Sequence, residues 1–122
     1  EGADQPTFAE IEAKASSLGM PCVYQPVVSG KVTQQDAIKF EANLQKLEGP
    51  VFAYCRTGTR SITLWAMTAT KTLSYEEILG LSQKAGYDLS GVVRRLKNGG
   101  ETPPFCLVMF KLTVLNLLLS VI

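Results

Sequence analysis

Histidine is absent from the sequence. Its absence excludes Ser-His-Asp and Cys-His nucleophile pairs, together with every zinc site that requires imidazole. Cysteine is scarce as well: Cys22, Cys55 and Cys106 are an odd number at wide spacing, which fits neither a disulfide framework nor a four-thiolate metal site. We therefore expect a protein of the reducing cytoplasm that holds no metal and no cofactor.

The chain also lacks a strong net charge. Twelve basic and eleven acidic side chains give a formal net charge of +1, so there is no bulk field to attract nucleic acid or an anionic membrane. Its 122 residues are enough for one domain with a modest core. Any recognition of an anion must come from a local cluster of residues.

Helical periodicity and helix-start signals recur along the chain. Thr7 with Glu10 and Ser74 with Glu77 have the spacing of a capping box, and Thr33 with Asp36 begins another apolar stripe. Glycine ends several of these patterns. The sequence predicts helices over 8–18, 33–47, 61–70, 74–86 and 90–100.

Two short segments rich in β-branched and aromatic residues predict strands at about 22–27 and 51–54. With a helix between them they form a βαβ pattern, for which parallel strands and a right-handed crossover are expected. The predicted fold class is α/β, a small parallel sheet flanked by helices. The loop that starts at Cys55 would leave the carboxyl end of the second strand, where open α/β sheets bind ligands.

The end of the chain has a different composition. After the linker-like sequence GGETPP, fourteen of the eighteen residues in 105–122 are apolar. Lys111 and Asn116 interrupt this stretch, which barely reaches the length of a membrane span. A segment docked on the domain, an end foreign to the parent domain and a membrane anchor all remain open, and the anchor is the least favoured.

The stretch CRTGTRS, residues 55–61, carries the candidate chemistry. A tight loop that leads into a helix N-terminus directs backbone N–H groups at one point and favours negative charge there. We expect this environment, with Arg60 as a donor to oxyanions, to lower the pKa of the Cys55 thiol. Ser61 is a candidate donor to the thiolate. The predicted anion-binding loop comprises Arg56, Thr57, Gly58 and Thr59.

Three stretches together resemble one bacterial family: YQPVVSGKVTQQDAIKF, PVFAYCRTGTRSITLWA and AGYDLSGVVRRL. They are similar to the phosphatase-like domain of β-lactamase hydrolase-like proteins, which in some bacteria is fused to a sulfide-oxidising metallo-β-lactamase-fold domain. The resemblance covers about residues 1–100 and leaves 101–122 as linker and tail. It implies a protein-tyrosine-phosphatase-like fold in which one or two strands would precede Glu1.

The resemblance implies either phosphatase or sulfurtransferase activity on a small anionic substrate. Tyrosine phosphatases have five residues between cysteine and arginine, whereas four separate Cys55 from Arg60, as in rhodaneses. Phosphoester cleavage also needs a general acid. Asp36 is the nearest carboxylate, and its position favours a first-turn helix role instead.

These features favour persulfide sulfur transfer with Cys55, Arg60 and Ser61 as catalytic residues. A phosphatase-like hydrolase that forms a phosphocysteine is the alternative, and a non-catalytic anion-binding or redox-sensing module is the third hypothesis.

Other residues have simpler interpretations. Trp65 is expected in the core, and Cys22 and Cys106 as small apolar residues. Lys31 could approach the loop by analogy with related folds. The basic residues of the last helix are expected to remain solvated near its C-terminus; they are Arg94, Arg95 and Lys97.

Overall fold

The structure is a computed structural model that describes residues 3–99 of the chain. Its regular secondary structure in this range consists of helices. They are α1 (Phe8–Ser17), α2 (Gln34–Lys46), α3 (Thr59–Ala69), α4 (Tyr75–Lys84) and α5 (Ser90–Gly99). All five helices predicted from the sequence are present within one or two residues of their expected bounds.

The helix starts follow from short-range hydrogen bonds. Complete capping boxes begin α1 at Thr7, α2 at Thr33 and α4 at Ser74. In each, the hydroxyl accepts from the backbone N–H three residues later while that residue's carboxylate accepts from the cap N–H. These contacts need only four consecutive residues, which is why the sequence predicts them well.

The predicted parallel sheet is not found among residues 3–99, where no strand or bridge is assigned. Residues 22–27 and 51–54 run without regular structure, although Phe52 and Tyr54 are exposed while Val51 and Ala53 are half-buried, the alternation expected of a strand. A strand is defined by hydrogen bonds to a neighbouring strand, and the side-chain pattern alone does not supply that neighbour. The exposed rings of Phe52 and Tyr54 stack on each other at 5.8 Å.

The core is centred on α3. On one side its buried residues Ile62 and Ala66 pack with Ile78 of α4 and Val93 of α5. On the other side Leu64 packs with Ala37 of α2 and with Val27. Because α3 contacts both groups, the loop that precedes it is anchored at its helical end. The predicted core position of Trp65 is confirmed: it packs against the first group.

The irregular segment 20–28 is tied to the helices by polar contacts. The Gln25 side-chain amide donates to the backbone carbonyl of Asp36 at 2.8 Å and accepts from Asn43 at 2.9 Å. The Arg60 guanidinium donates to the Val27 carbonyl at 3.0 Å. This segment therefore holds a defined position beside α2 and α3 without a sheet.

The predicted linker and apolar tail, 101–122, and Cys106 lie outside the described residues. Within residues 3–99, none of the helices combines the length and apolar character that a bilayer span requires. The domain boundary near residue 100 stays a prediction.

Candidate active site

The loop from Cys55 to α3 turns on Gly58. Gly58 is the N-cap of α3 with φ 80° and ψ −18°, in the left-handed region that favours glycine. Its carbonyl accepts the first helical hydrogen bond from Ile62 at 2.9 Å. A Cβ at this position would lie 2.8 Å from Cζ of Tyr87 and closer still to its hydroxyl oxygen. Backbone angle and space thus both require glycine here.

Donors from this loop converge on the Cys55 sulfur. Partial burial by itself raises the pKa of the thiol, but hydrogen bonds from the backbone N–H groups of Ser61, Thr57 and Arg60, and from the Ser61 hydroxyl, outweigh it. Together they lower the pKa of Cys55 to about 7 from an ordinary value of 9.0. The thiolate is therefore present in a substantial fraction at neutral pH, without any histidine.

A cleft of about 180 Å³ adjoins the loop. Its walls come from the turn after segment 20–28, from the loop itself and from α3 and α5. The lining residues are Ser29, Gly30, Val32, Arg56, Thr57, Thr59, Arg60, Thr63, Val92 and Arg95. Cys55 is not among them, so the cleft lies beside the thiol and shares the loop with it.

Comparisons with known proteins identify the family. The sequence pattern described as "Beta-lactamase hydrolase-like protein, phosphatase-like domain" matches residues 1–72. The chain belongs to this family.

Individual relatives agree with that assignment. A crystal structure of a candidate phosphatase from Neisseria meningitidis Z2491 superimposes with a TM-score of 0.70 at 35% identity, covering 80% of this chain and 70% of that one. Beta-lactamase hydrolase-like proteins of Agrobacterium fabrum and Xylella fastidiosa (strain Temecula1) are each 28% identical, over 108 and 106 residues. The matches cover 87% and 85% of this chain and 25% of each relative, so the chain spans about a quarter of their length.

The family assignment and the structural similarity support the expectation of an enzyme with a phosphatase-like fold. They also correct the preference drawn from the sequence. A phosphatase-like hydrolase, the alternative, is better supported than the sulfurtransferase that the loop length favoured.

The structure brings most of the predicted site residues of this phosphatase-like domain together. Arg56, Thr57, Thr59 and Arg60 line the cleft, while Ser61 is buried and donates to Cys55. The hydroxyls of Thr57 and Thr59 share a hydrogen bond of 3.2 Å. These residues border one cleft, and their roles in anion binding and catalysis stay predictions.

The carboxylate of Asp36 is engaged as the sequence predicts. It accepts from the Thr33 N–H at 2.8 Å and from the Thr33 hydroxyl at 2.7 Å. The hydrogen bond from the Thr33 hydroxyl has the larger effect and that from the Thr33 N–H the smaller, and both lower the pKa of Asp36 below its usual range. Asp36 is therefore ionised at neutral pH and unsuited to donate a proton. No carboxylate lines the cleft in the described part of the chain.

Sequence reasoning missed Arg95 and placed its neighbours only approximately. Arg95 lines the cleft. Lys97 is expected to remain solvated, but its Nζ lies 5.1 Å from the centre of the Tyr75 ring and 3.7 Å from a carboxylate oxygen of Glu76. Lys31 is exposed and does not line the cleft, although Gly30 does. Arg95 and Val92 are three residues apart on one helix face, a spacing that could have pointed to Arg95 once the side facing the loop was known.

Within residues 3–99 there is no group of three or more cysteine, aspartate or glutamate side chains that could hold a metal ion. Cys22 and Cys55 are both half-buried free thiols. The groups that surround the site are the Cys55 thiol, hydroxyls, guanidinium groups and backbone amides.

Proposed function

We propose that this chain hydrolyses phosphomonoesters through nucleophilic attack by Cys55. The observation that carries the proposal is the convergence of three backbone N–H groups and one hydroxyl on a sulfur whose pKa is about 7. Membership of a phosphatase-like family supports phosphorus as the electrophile. A thiolate is a strong nucleophile, and this one exists at neutral pH without a separate base.

The reaction has two displacements. The Cys55 thiolate attacks phosphorus, an S–P bond forms, and the P–O bond to the leaving group breaks with its electron pair on oxygen. Water then attacks phosphorus, loses a proton to solvent and displaces the thiolate as inorganic phosphate departs. Arg60 and the loop amides are proposed to bind the phosphoryl oxygens, because a guanidinium matches two oxygens at once and loop N–H groups stabilise developing charge.

The lack of a carboxylate along the described cleft restricts the leaving group. An alkoxide needs protonation as it departs, whereas a phenolate of low pKa leaves without a strong acid. We expect aryl phosphates to react much faster than alkyl phosphates. The ratio of the aryl to the alkyl rate should exceed the ratio for an enzyme with a positioned acid, because general acid catalysis contributes about 10²–10⁴-fold.

The test is turnover of 4-nitrophenyl phosphate by the purified, reduced chain. Activity should be blocked by vanadate and lost in Cys55→Ser, while Cys22→Ser, which replaces a second half-buried thiol of residues 3–99, retains it. Rapid acid quenching should trap one phosphoryl group on Cys55, detected by mass spectrometry. Turnover that survives replacement of Cys55 would contradict the proposal.

Sulfur transfer is the second candidate, because two observations suit it. Four residues separate Cys55 from Arg60, and the absence of a cleft carboxylate is no obstacle when a stabilised sulfur anion leaves. Thiosulfate would then add one sulfur atom to Cys55 and release sulfite. Mass spectrometry after incubation with thiosulfate separates the two candidates, since no adduct on a folded, reduced sample removes this one.

The cellular compartment and the linkage to a further domain are also proposals. We propose that the small anionic substrate is processed in a reducing compartment, because disulfide formation at Cys55 would remove the nucleophile. The curated relatives are about four times longer than their matched segments, which is compatible with linkage to a metallo-β-lactamase-fold sulfide-oxidising domain. The reading frame that encodes residues 1–122 and its flanks would test that linkage directly.

A further inference from the structure

Three guanidinium groups surround one small cleft. Arg56 and Arg60 come from the loop, and Arg95 comes from α5. Neither Arg56 nor Arg95 forms a salt bridge with a carboxylate of residues 3–99, and no carboxylate of that range lines the cleft. Like charges collected in a concave site raise the local positive potential and favour the binding of anions.

The position of Arg95 beside the cleft is set by the packing of α5. Leu89, just before the helix, and Val93 are buried in the core with Ile62 and Ile78 of the neighbouring helices. This packing directs the Val92 and Arg95 face toward the cleft, because residues three apart share a helix face. Arg94 is also exposed on the same helix but does not line the cleft.

The size and chemistry of the cleft define what it can accept. Its volume of about 180 Å³ corresponds to about six water molecules at ~30 Å³ each. One phosphoryl group would use the loop and Arg60, and the remaining space is bordered by Val32, Val92 and Arg95. Two short apolar side chains with a guanidinium suit a few carbon atoms that end in a second negative charge.

We propose that Arg95 binds a second anionic group of the substrate, so that the preferred substrates are small phosphomonoesters carrying an additional carboxylate or phosphate. The inference rests on the proposed function only in that it assigns the phosphoryl group to the Cys55 loop. Arg95 is then a specificity-determining residue, and it has no part in bond cleavage.

The experiment measures binding without turnover. Phosphonoacetate and phosphonoacetamide have nearly the same shape, but only the first carries a carboxylate beside its phosphonate. Each is titrated as a protectant of Cys55 against iodoacetamide, in the wild type, in Arg95→Gln and in the matched control Arg94→Gln. We expect wild type and Arg94→Gln to be protected by phosphonoacetate at about tenfold lower concentration than by phosphonoacetamide, the order expected of one exposed charged hydrogen bond.

In Arg95→Gln the two compounds should protect at concentrations within about twofold of each other, and Arg95→Lys should retain part of the difference because it keeps the charge. Equal protection by the two compounds in wild type, an undiminished difference in Arg95→Gln, or no protection by either compound overturns the inference. If 4-nitrophenyl phosphate is not hydrolysed while the Arg95-dependent difference stands, the hydrolytic proposal fails and the second-anion site remains. If hydrolysis holds and the difference is absent, only the inference fails.

Discussion

The Tyr87 hydroxyl donates a 3.0 Å hydrogen bond to the backbone carbonyl of Thr57, 30 residues earlier in the chain. Tyr87 lies between α4 and α5 and packs against the core, so the bond ties the Cys55 loop to the helical body. The same hydroxyl occupies the space beside Gly58. The shape of the loop therefore depends on a distant aromatic residue as well as on its own sequence.

Replacing Tyr87 with phenylalanine removes this bond and keeps the ring. We expect a loss of about 0.5–1.5 kcal/mol in the free energy of unfolding, the usual contribution of one hydrogen bond. Urea denaturation measures it. The loosened loop should also raise the pKa of Cys55, followed by the pH dependence of its alkylation. Tyr75→Phe is the control, because Tyr75 packs on the same core and its ring faces Lys97. An equal pKa change in both variants would contradict the role given to Tyr87.

Gly58→Ala should damage the loop through two separate causes. The left-handed backbone costs a non-glycine residue roughly 1–2 kcal/mol, and the new Cβ would collide with Tyr87. The double variant Gly58→Ala/Tyr87→Ala removes the collision and leaves the backbone cost.

Urea denaturation of Gly58→Ala, Tyr87→Ala and the double variant separates these causes. The Gly58→Ala change should be less destabilising in the Tyr87→Ala background than in wild type, which is the signature of a coupled pair. Strictly additive losses would show that the collision is unimportant.

The pKa of about 7 predicts how the reactivity of Cys55 depends on pH. Its rate of alkylation should rise tenfold per pH unit below 7 and level off above about pH 8, well below the range of a thiol with the ordinary value of 9.0. Because folding lowers this pKa, ionisation contributes stability that is complete above about pH 9 and is lost as the pH falls through about 7. Stopped-flow alkylation of a Cys22→Ser/Cys106→Ser background, in which Cys55 is the one remaining cysteine of the sequence, isolates the Cys55 signal. A midpoint near 9 would contradict the donor arrangement.

Ser61→Ala should raise the pKa of Cys55 by up to about one unit. The lost hydroxyl donor is worth about 0.5–1.5 kcal/mol, and one pKa unit corresponds to ~1.4 kcal/mol. The backbone N–H of Ser61 stays in place, so the pKa should remain below the ordinary value. Thr57→Ala is the matched control, because the contribution of Thr57 to the thiolate comes from its backbone N–H. A larger shift in Thr57→Ala than in Ser61→Ala would argue against a direct hydroxyl contact.

The helices and the lowered pKa of Cys55 could be predicted because their signals are local. The capping boxes at Thr7, Thr33 and Ser74 involve neighbours three residues apart. The Cys55 to Ser61 stretch likewise forms its donor cluster within seven consecutive residues. Physical rules for short-range contacts therefore apply directly to the sequence.

Long-range features were predicted less well. The strand pattern at 51–54 keeps its alternation, but its pairing depends on other segments. Arg95 looked like an ordinary charge near the end of a helix, and only the packing of α5 on α3 and α4 brings it to the cleft, 35 residues from Arg60. The choice of phosphorus over sulfur depended on comparison with relatives, because the same thiolate loop suits both.

Trp65, the only tryptophan in the sequence, lies on α3, six residues beyond the first residue of that helix. It is partly buried against the core, and its carbonyl accepts from the Thr68 hydroxyl at 2.9 Å. Excitation at the red edge of protein absorbance therefore selects one fluorophore, and that fluorophore lies on the helix that follows the Cys55 loop. Titration of an anion can therefore be followed by the fluorescence of α3 itself, without an attached label.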